Sequence, residues 1–185
     1  FAVAMTIMVL DMDAPANVTF NSLIPVLPVF LSYVLSFIYV AIYWINHHHL
    51  LAATKKINSK VLWANLGFLF WITLIPFTTS WVDENHISPL PVAIYGVVLL
   101  MCAVSFRILE RLLFVEHDAN SAIVLTMRDG RREKITIAVY VLAIAMAWLH
   151  PFISLGIYVV VALMWTVPNL KLEKLLSEKD ICEFD

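Results

Sequence analysis

Charge is absent from four long stretches of this chain, residues 14–54, 61–82, 85–106 and 135–170, and apolar side chains dominate each of them. A helix needs about 20 consecutive apolar residues to cross a bilayer. The pattern therefore predicts an all-α membrane protein with spans at about 23–46, 61–82 and 89–112. The fourth stretch carries His150-Pro151 near its middle. Proline lacks the amide of the helical ladder and disfavours helix in the residue before it. Two short spans, at about 135–149 and 152–168, joined by a tight turn, are expected there. Residues 1–10 are also apolar, with neither the basic segment nor the cleavage site of a signal peptide, and read as the second half of another span. The expected architecture is one six-span domain, 1–170, followed by a C-terminal tail, 171–185, in which apolar residues recur at helical spacing among Lys and Glu.

The basic residues test that count. All 12 Lys and Arg fall within 55–60, 107–134 and 171–179, and the intervening loops hold none. Basic loops stay on the cytoplasmic side of a membrane. Six spans with both termini cytoplasmic put every basic loop on that side, whereas merging the last two spans would put the basic tail outside.

Composition removes other classes. The chain of 185 residues is 62% apolar and 14% charged, with a mean hydropathy of +0.86. A soluble domain is about 45–50% apolar and about 25% charged. A soluble enzyme and a disordered chain are excluded, and a net charge of −2 offers no basic face to nucleic acid. Cys102 and Cys182 stand far apart and form neither a disulfide framework nor a zinc knuckle. The 4 glycines include no phosphate-cradling loop and no Thr-Val-Gly-Tyr-Gly carbonyl filter.

Polar groups inside spans are costly in lipid and mark candidate chemistry. In the first span Val3, Thr6, Ile7 and Leu10 share one helical face, apolar except for a hydroxyl. Such a face serves either helix packing or a pore wall, where symmetry-related copies build apolar rings that control wetting. The second span ends in Tyr43-Trp44-Ile45-Asn46-His47-His48-His49. Adjacent side chains on a helix point about 100° apart, so these histidines cannot close on one ion, for which a spacing of three or four is needed. No metal is expected. A hydrogen bond inside the bundle suits one or two of the imidazoles, and Tyr43 and Trp44 are candidate interfacial anchors. Asn65, about one turn in from Lys60, is a candidate partner for a polar group on a neighbouring helix, and Pro76 should kink the third span. Arg107, Glu110 and Arg111 read as an ion-paired, snorkelling end of the fourth span. Ser32, Ser36, Ser105 and Ser154 have no Asp or His companion at a catalytic spacing, so no enzyme activity is expected.

The first span, with its apolar-Thr-apolar run ending Val9-Leu10-Asp11, resembles the first helix of the transmembrane protein 175 family of potassium channels. Tyr43-Trp44 with His47-His48 resembles that family's second helix, and Asn65 with Pro76-Phe77-Thr78 its third. The family's Arg-x-x-x-Phe-Ser-Asp signature would stand ahead of Phe1 and is not in this sequence. The resemblance implies a prokaryotic homotetramer around a central pore lined by the first helix. Carried over, the apolar constriction falls on Val3, where the family usually has Ile, and the next pore-facing positions are Thr6, Ile7 and Leu10. Trp44, His47, His48 and Asn65 are expected to form the hydrogen-bond network that anchors the first helix. Asp11 and Asp13, repeated fourfold, would put a ring of acids at the pore mouth and raise the local cation concentration.

The expected function is a potassium-selective or potassium-preferring cation channel in a prokaryotic plasma membrane. Potassium is the permeant species, and no cofactor, nucleic acid or small-molecule substrate is expected. The alternatives are a secondary transporter, which needs a polar site near the midplane, and a membrane scaffold that transports nothing.

Overall fold

The computed structural model describes residues 1–10, 19, 24, 26–52, 54, 57–85, 87–115 and 131–166. Every regular element among them is a helix: α1 (Ala2–Leu10), α2 (Val26–Ala52), α3 (Ser59–Thr73), α4 (Ile75–Glu84), α5 (Pro89–Val115), α6 (Arg131–Met146) and α7 (Pro151–Thr166). Three segments are long and apolar enough to cross a membrane: α2, α3 and α4 taken together as Ser59–Glu84, and Pro89–Leu113 of α5. The shorter α7 is apolar throughout. At a rise of 1.5 Å per residue the 16 residues of α6 or of α7 cover about 24 Å, short of a hydrocarbon core of about 30 Å.

Local chemistry sets the helix ends. Asn58 caps α3 through its side chain, which accepts from the Val61 amide at 2.9 Å. The stretch expected as one span over 61–82 is divided at Leu74. Pro76 cannot donate to the carbonyl of Ile72 four residues back, and just ahead of it the Leu74 amide turns back to the Trp71 carbonyl at 3.2 Å. The hydroxyls of Thr78 and Thr79 bond back to the carbonyls of Leu74 and Ile75, at 3.1 and 2.8 Å, which satisfies two buried side-chain donors beyond the break. Ile87, with φ 57°, turns the chain from α4 into α5, and its amide returns to Val82 at 3.1 Å. The expected end of the second span at residue 46 is passed by six residues, so the three histidines lie within α2. A helix also begins at Arg131, ahead of the expected 135, and His150-Pro151 separates α6 from α7.

The core is built around α5, which packs against α3, α4, α6 and α7. Its Val92, Leu99, Cys102, Leu109 and Leu113 are buried. Gly96 is the position that lets α7 come close: a Cβ there would lie 2.0 Å from the Tyr158 hydroxyl. Tyr158 in turn donates to the Val92 carbonyl at 3.3 Å, and Tyr39 of α2 donates to the carbonyl of Tyr158. A chain of hydroxyls joins three helices. Tyr95 of α5 donates to Ser36 of α2 at 3.0 Å, Ser36 to Thr79 of α4 at 2.7 Å, and Thr79 to its own backbone, an order in which each hydroxyl donates once. Outside this core the helices present Trp63, Leu66, Phe70, Phe152 and Val160 to the surroundings, and the turn between α6 and α7 presents Trp148. Apolar surface that extensive suits lipid and not water.

Candidate functional site

Helix α1 rests on α2 and α4. Ala4 and Met8 are its buried residues, 5% and 3% exposed. They stand four apart, so they form one narrow stripe on the helix. The opposite side carries the four candidate pore residues. Val3 is 70% exposed, Leu10 80% and Ile7 44%, and Thr6 is exposed between them. Ile7 lies nearest the contact stripe, which accounts for its smaller exposure. The Thr6 hydroxyl donates to the Val3 carbonyl at 2.9 Å, so its proton is turned back to the helix and its lone pairs face outward. A threonine oriented this way can offer an oxygen to a cation but has no donor left for an anion. Asp11 and Asp13 lie outside the described residues.

The start of α1 is held by a cluster of rings. Phe1 packs on His47 of α2 at 5.5 Å and on Phe68 of α3 at 6.0 Å between centroids. His47 stacks on Phe68 at 5.7 Å, and Tyr43 meets the edge of Phe68 at 5.6 Å. Phe68 is fully buried. His47 is fixed in turn by Asn65: its Nε2 donates to Asn65 Oδ1 at 2.7 Å. An amide oxygen can only accept, so the histidine carries its proton on Nε2 in this bond. The histidine and asparagine picked out in the sequence are thus brought together across α2 and α3, with Phe1 seated on the imidazole.

The other two residues of the expected network go elsewhere. Trp44 and His48, one turn apart, stack on each other at 5.8 Å on an exposed side of α2. Tyr43, read as an interfacial anchor, is turned inward and donates to the Leu99 carbonyl at 3.4 Å. The difference is geometric: Tyr43 and His47 share the stripe of α2 that meets α3 and α5, and Trp44 and His48 share the next stripe around the helix. Arg107 and Glu110 form the expected ion pair, with Glu110 buried. Sequence reasoning missed the Ser36–Thr79–Tyr95 joint. Its signal was the run Ser36, Tyr39, Tyr43 at helical spacing on one side of α2. Among the described residues no group of three or more His, Cys, Asp or Glu could hold a metal ion.

Residues 1–76, which contain α1, the His47–Asn65 pair and the break before Pro76, match the family model of the endosomal/lysosomal potassium channel TMEM175. The chain is 44% identical over 177 residues to a potassium channel of Chryseobacterium sp. (strain P1-3), covering 96% of this chain and 92% of that protein. It is 24% identical over 184 residues to a potassium channel of Chamaesiphon minutus (strain ATCC 27169 / PCC 6605), covering 90% and 88%. Its fold is similar to the crystal structure of a lysosomal potassium-selective channel TMEM175 homolog from Chamaesiphon minutus, with a TM-score of 0.70 over 89% of each chain at 23% identity. The chain belongs to the TMEM175 family.

Proposed function

We propose that this chain is the subunit of a potassium channel whose pore is walled by α1. Family membership carries the potassium channel. The observation that supports the pore wall is the division of α1 into two faces. Two small or flexible buried residues, Ala4 and Met8, seat it on its own protomer, and the face of Val3, Thr6, Ile7 and Leu10 is left uncovered. A uniformly apolar helix needs only lipid around it, but a helix anchored at one end by an interior His–Asn pair has a defined orientation to maintain.

In this reading four protomers surround an axis, each has six spans with both termini cytoplasmic, and the assembly sits in a prokaryotic plasma membrane. The rings of Val3, Ile7 and Leu10 form an apolar constriction, closed by dewetting and opened by a small rotation or dilation of α1. The Thr6 oxygens are the polar ligands on that wall, and Asp11 and Asp13 gather cations at its mouth. The constriction needs no cofactor.

Protein reconstituted in liposomes should pass K⁺ down its gradient. Ile7→Asn or Leu10→Asn puts an amide into an apolar ring, favours wetting, and should raise the basal flux severalfold. Unchanged flux in both variants would remove α1 from the pore.

A further inference from the structure

Behind the aromatic cluster, α2, α5, α6 and α7 enclose a cavity of about 30 Å³, walled by Tyr39, Tyr43, Phe106, Tyr140 and Trp165. Glu133 of α6 also lines it. Oxygen Oε2 of Glu133 is buried and has no hydrogen-bond partner. An unpaired carboxylate oxygen away from water is costly, so this one calls for an occupant.

The neighbouring donors do not supply one. Tyr39 donates to the carbonyl of Tyr158, and Tyr43 to that of Leu99. Asn46 donates to the carbonyl of Ile42, and Thr136 to that of Arg132. The Trp165 indole donates to the Thr136 hydroxyl at 2.9 Å. Two basic side chains near it are engaged elsewhere: Arg107 with Glu110, and Arg132 with the Met164 carbonyl and the face of Trp165. The cavity therefore presents an anionic acceptor and aromatic faces, with those donors turned into backbone and neighbouring side chains. Any donor from outside the chain would satisfy the oxygen, and a cation that brings its own N–H donors also balances the carboxylate charge and suits the aromatic faces.

Hard metal ions fit poorly, because they require about six or more oxygens and these walls are mainly ring carbon. An ammonium group fits on each count. It donates to the carboxylate, and its charge is attracted to aromatic faces. A water needs at least about 10–15 Å³ of such space, so this volume admits a small ion and not a bulky amine. We infer that the cavity between α2, α5, α6 and α7 is a binding site for a small ammonium-type cation, held by Glu133 within an aromatic cage. The site lies inside each protomer, away from α1, and does not depend on how α1 is used.

The test is thermal unfolding of the purified full chain, titrated with methylammonium chloride against sodium chloride at matched ionic strength. Wild type should show a rise in Tm that grows with the logarithm of methylammonium concentration and reaches about 3 °C at ten times Kd, with no such rise in sodium. Glu133→Gln, which removes the charge and keeps the shape, should abolish the rise. Phe106→Leu, which thins the cage and leaves the carboxylate, should weaken affinity by about fivefold and provides the reading if the glutamine variant does not fold. Equal Tm values in the two salts, or a rise of undiminished size in Glu133→Gln or Phe106→Leu, would overturn the assignment.

Discussion

Helices α1 and α5 are both strongly apolar, yet the molecule uses them in opposite ways. α5 is enclosed by four other helices, and residues on several of its sides are buried, including Val92, Ala93, Val98 and Leu99. α1 touches the rest of the chain through Ala4 and Met8, with Met5 half-buried beside them, and leaves Val3, Thr6, Ile7 and Leu10 exposed. What separates them is not hydropathy but where polar and size-critical residues sit. α5 carries Tyr95, which reaches Ser36, and Gly96, which admits Tyr158. These features work only when neighbours occupy defined positions. α1 has neither, and its one hydroxyl bonds to its own backbone. In lipid, apolar area alone does not drive helices together, so close packing and hydrogen bonds decide which helices form a core. By that criterion α5 is the pillar of the bundle, and α1 is an attached helix whose start is held through Phe1.

This contrast can be broken most sharply at Gly96. An added methyl lies 2.0 Å from a tyrosine hydroxyl that is itself tied to the Val92 carbonyl. Gly96→Ala should cost about 2–3 kcal/mol, seen as a fall in Tm and in monodisperse yield from detergent. A Tm equal to wild type would mean that α5 and α7 are not in close contact. The next effect is at the anchor. Asn65→Ala leaves the His47 Nε2–H without its acceptor and should cost about 1–2 kcal/mol. It should also loosen α1, read as faster protease cleavage near the N-terminus. Asn65→Asp, which keeps the oxygen, should restore most of the protection. Identical cleavage in the alanine variant would separate the pair from the seating of Phe1. The smallest effect on stability should come from the outward face. Leu10→Ala should change stability by less than about 0.5 kcal/mol, although the same position should alter K⁺ flux. A Leu10→Ala loss as large as that of Gly96→Ala would show that the face is buried by packing and does not border a pore.

Much of this molecule could be read before any coordinates. The charge-free stretches and the proline positions are enough to announce a helical membrane protein, because lipid accepts a spanning helix only where charge is absent and breaks it only where the backbone loses a donor. The face of Val3, Thr6, Ile7 and Leu10 follows from helical spacing, Asn65 was visible as an isolated polar residue in an apolar run, and His47 as one of the polar run Asn46-His47-His48-His49. The tertiary structure decided which of two equivalent-looking stripes on α2 turns inward, taking Tyr43 and His47 and leaving Trp44 and His48 outside. It also decided that Ser36, Thr79 and Tyr95 meet, and that one oxygen of Glu133 lies buried and unpaired beside aromatic rings. The reason is physical. Hydropathy and periodicity act within a segment and survive in the linear order of residues. A hydrogen bond between helices depends on their mutual rotation and height, which arise only when several side chains are packed at once.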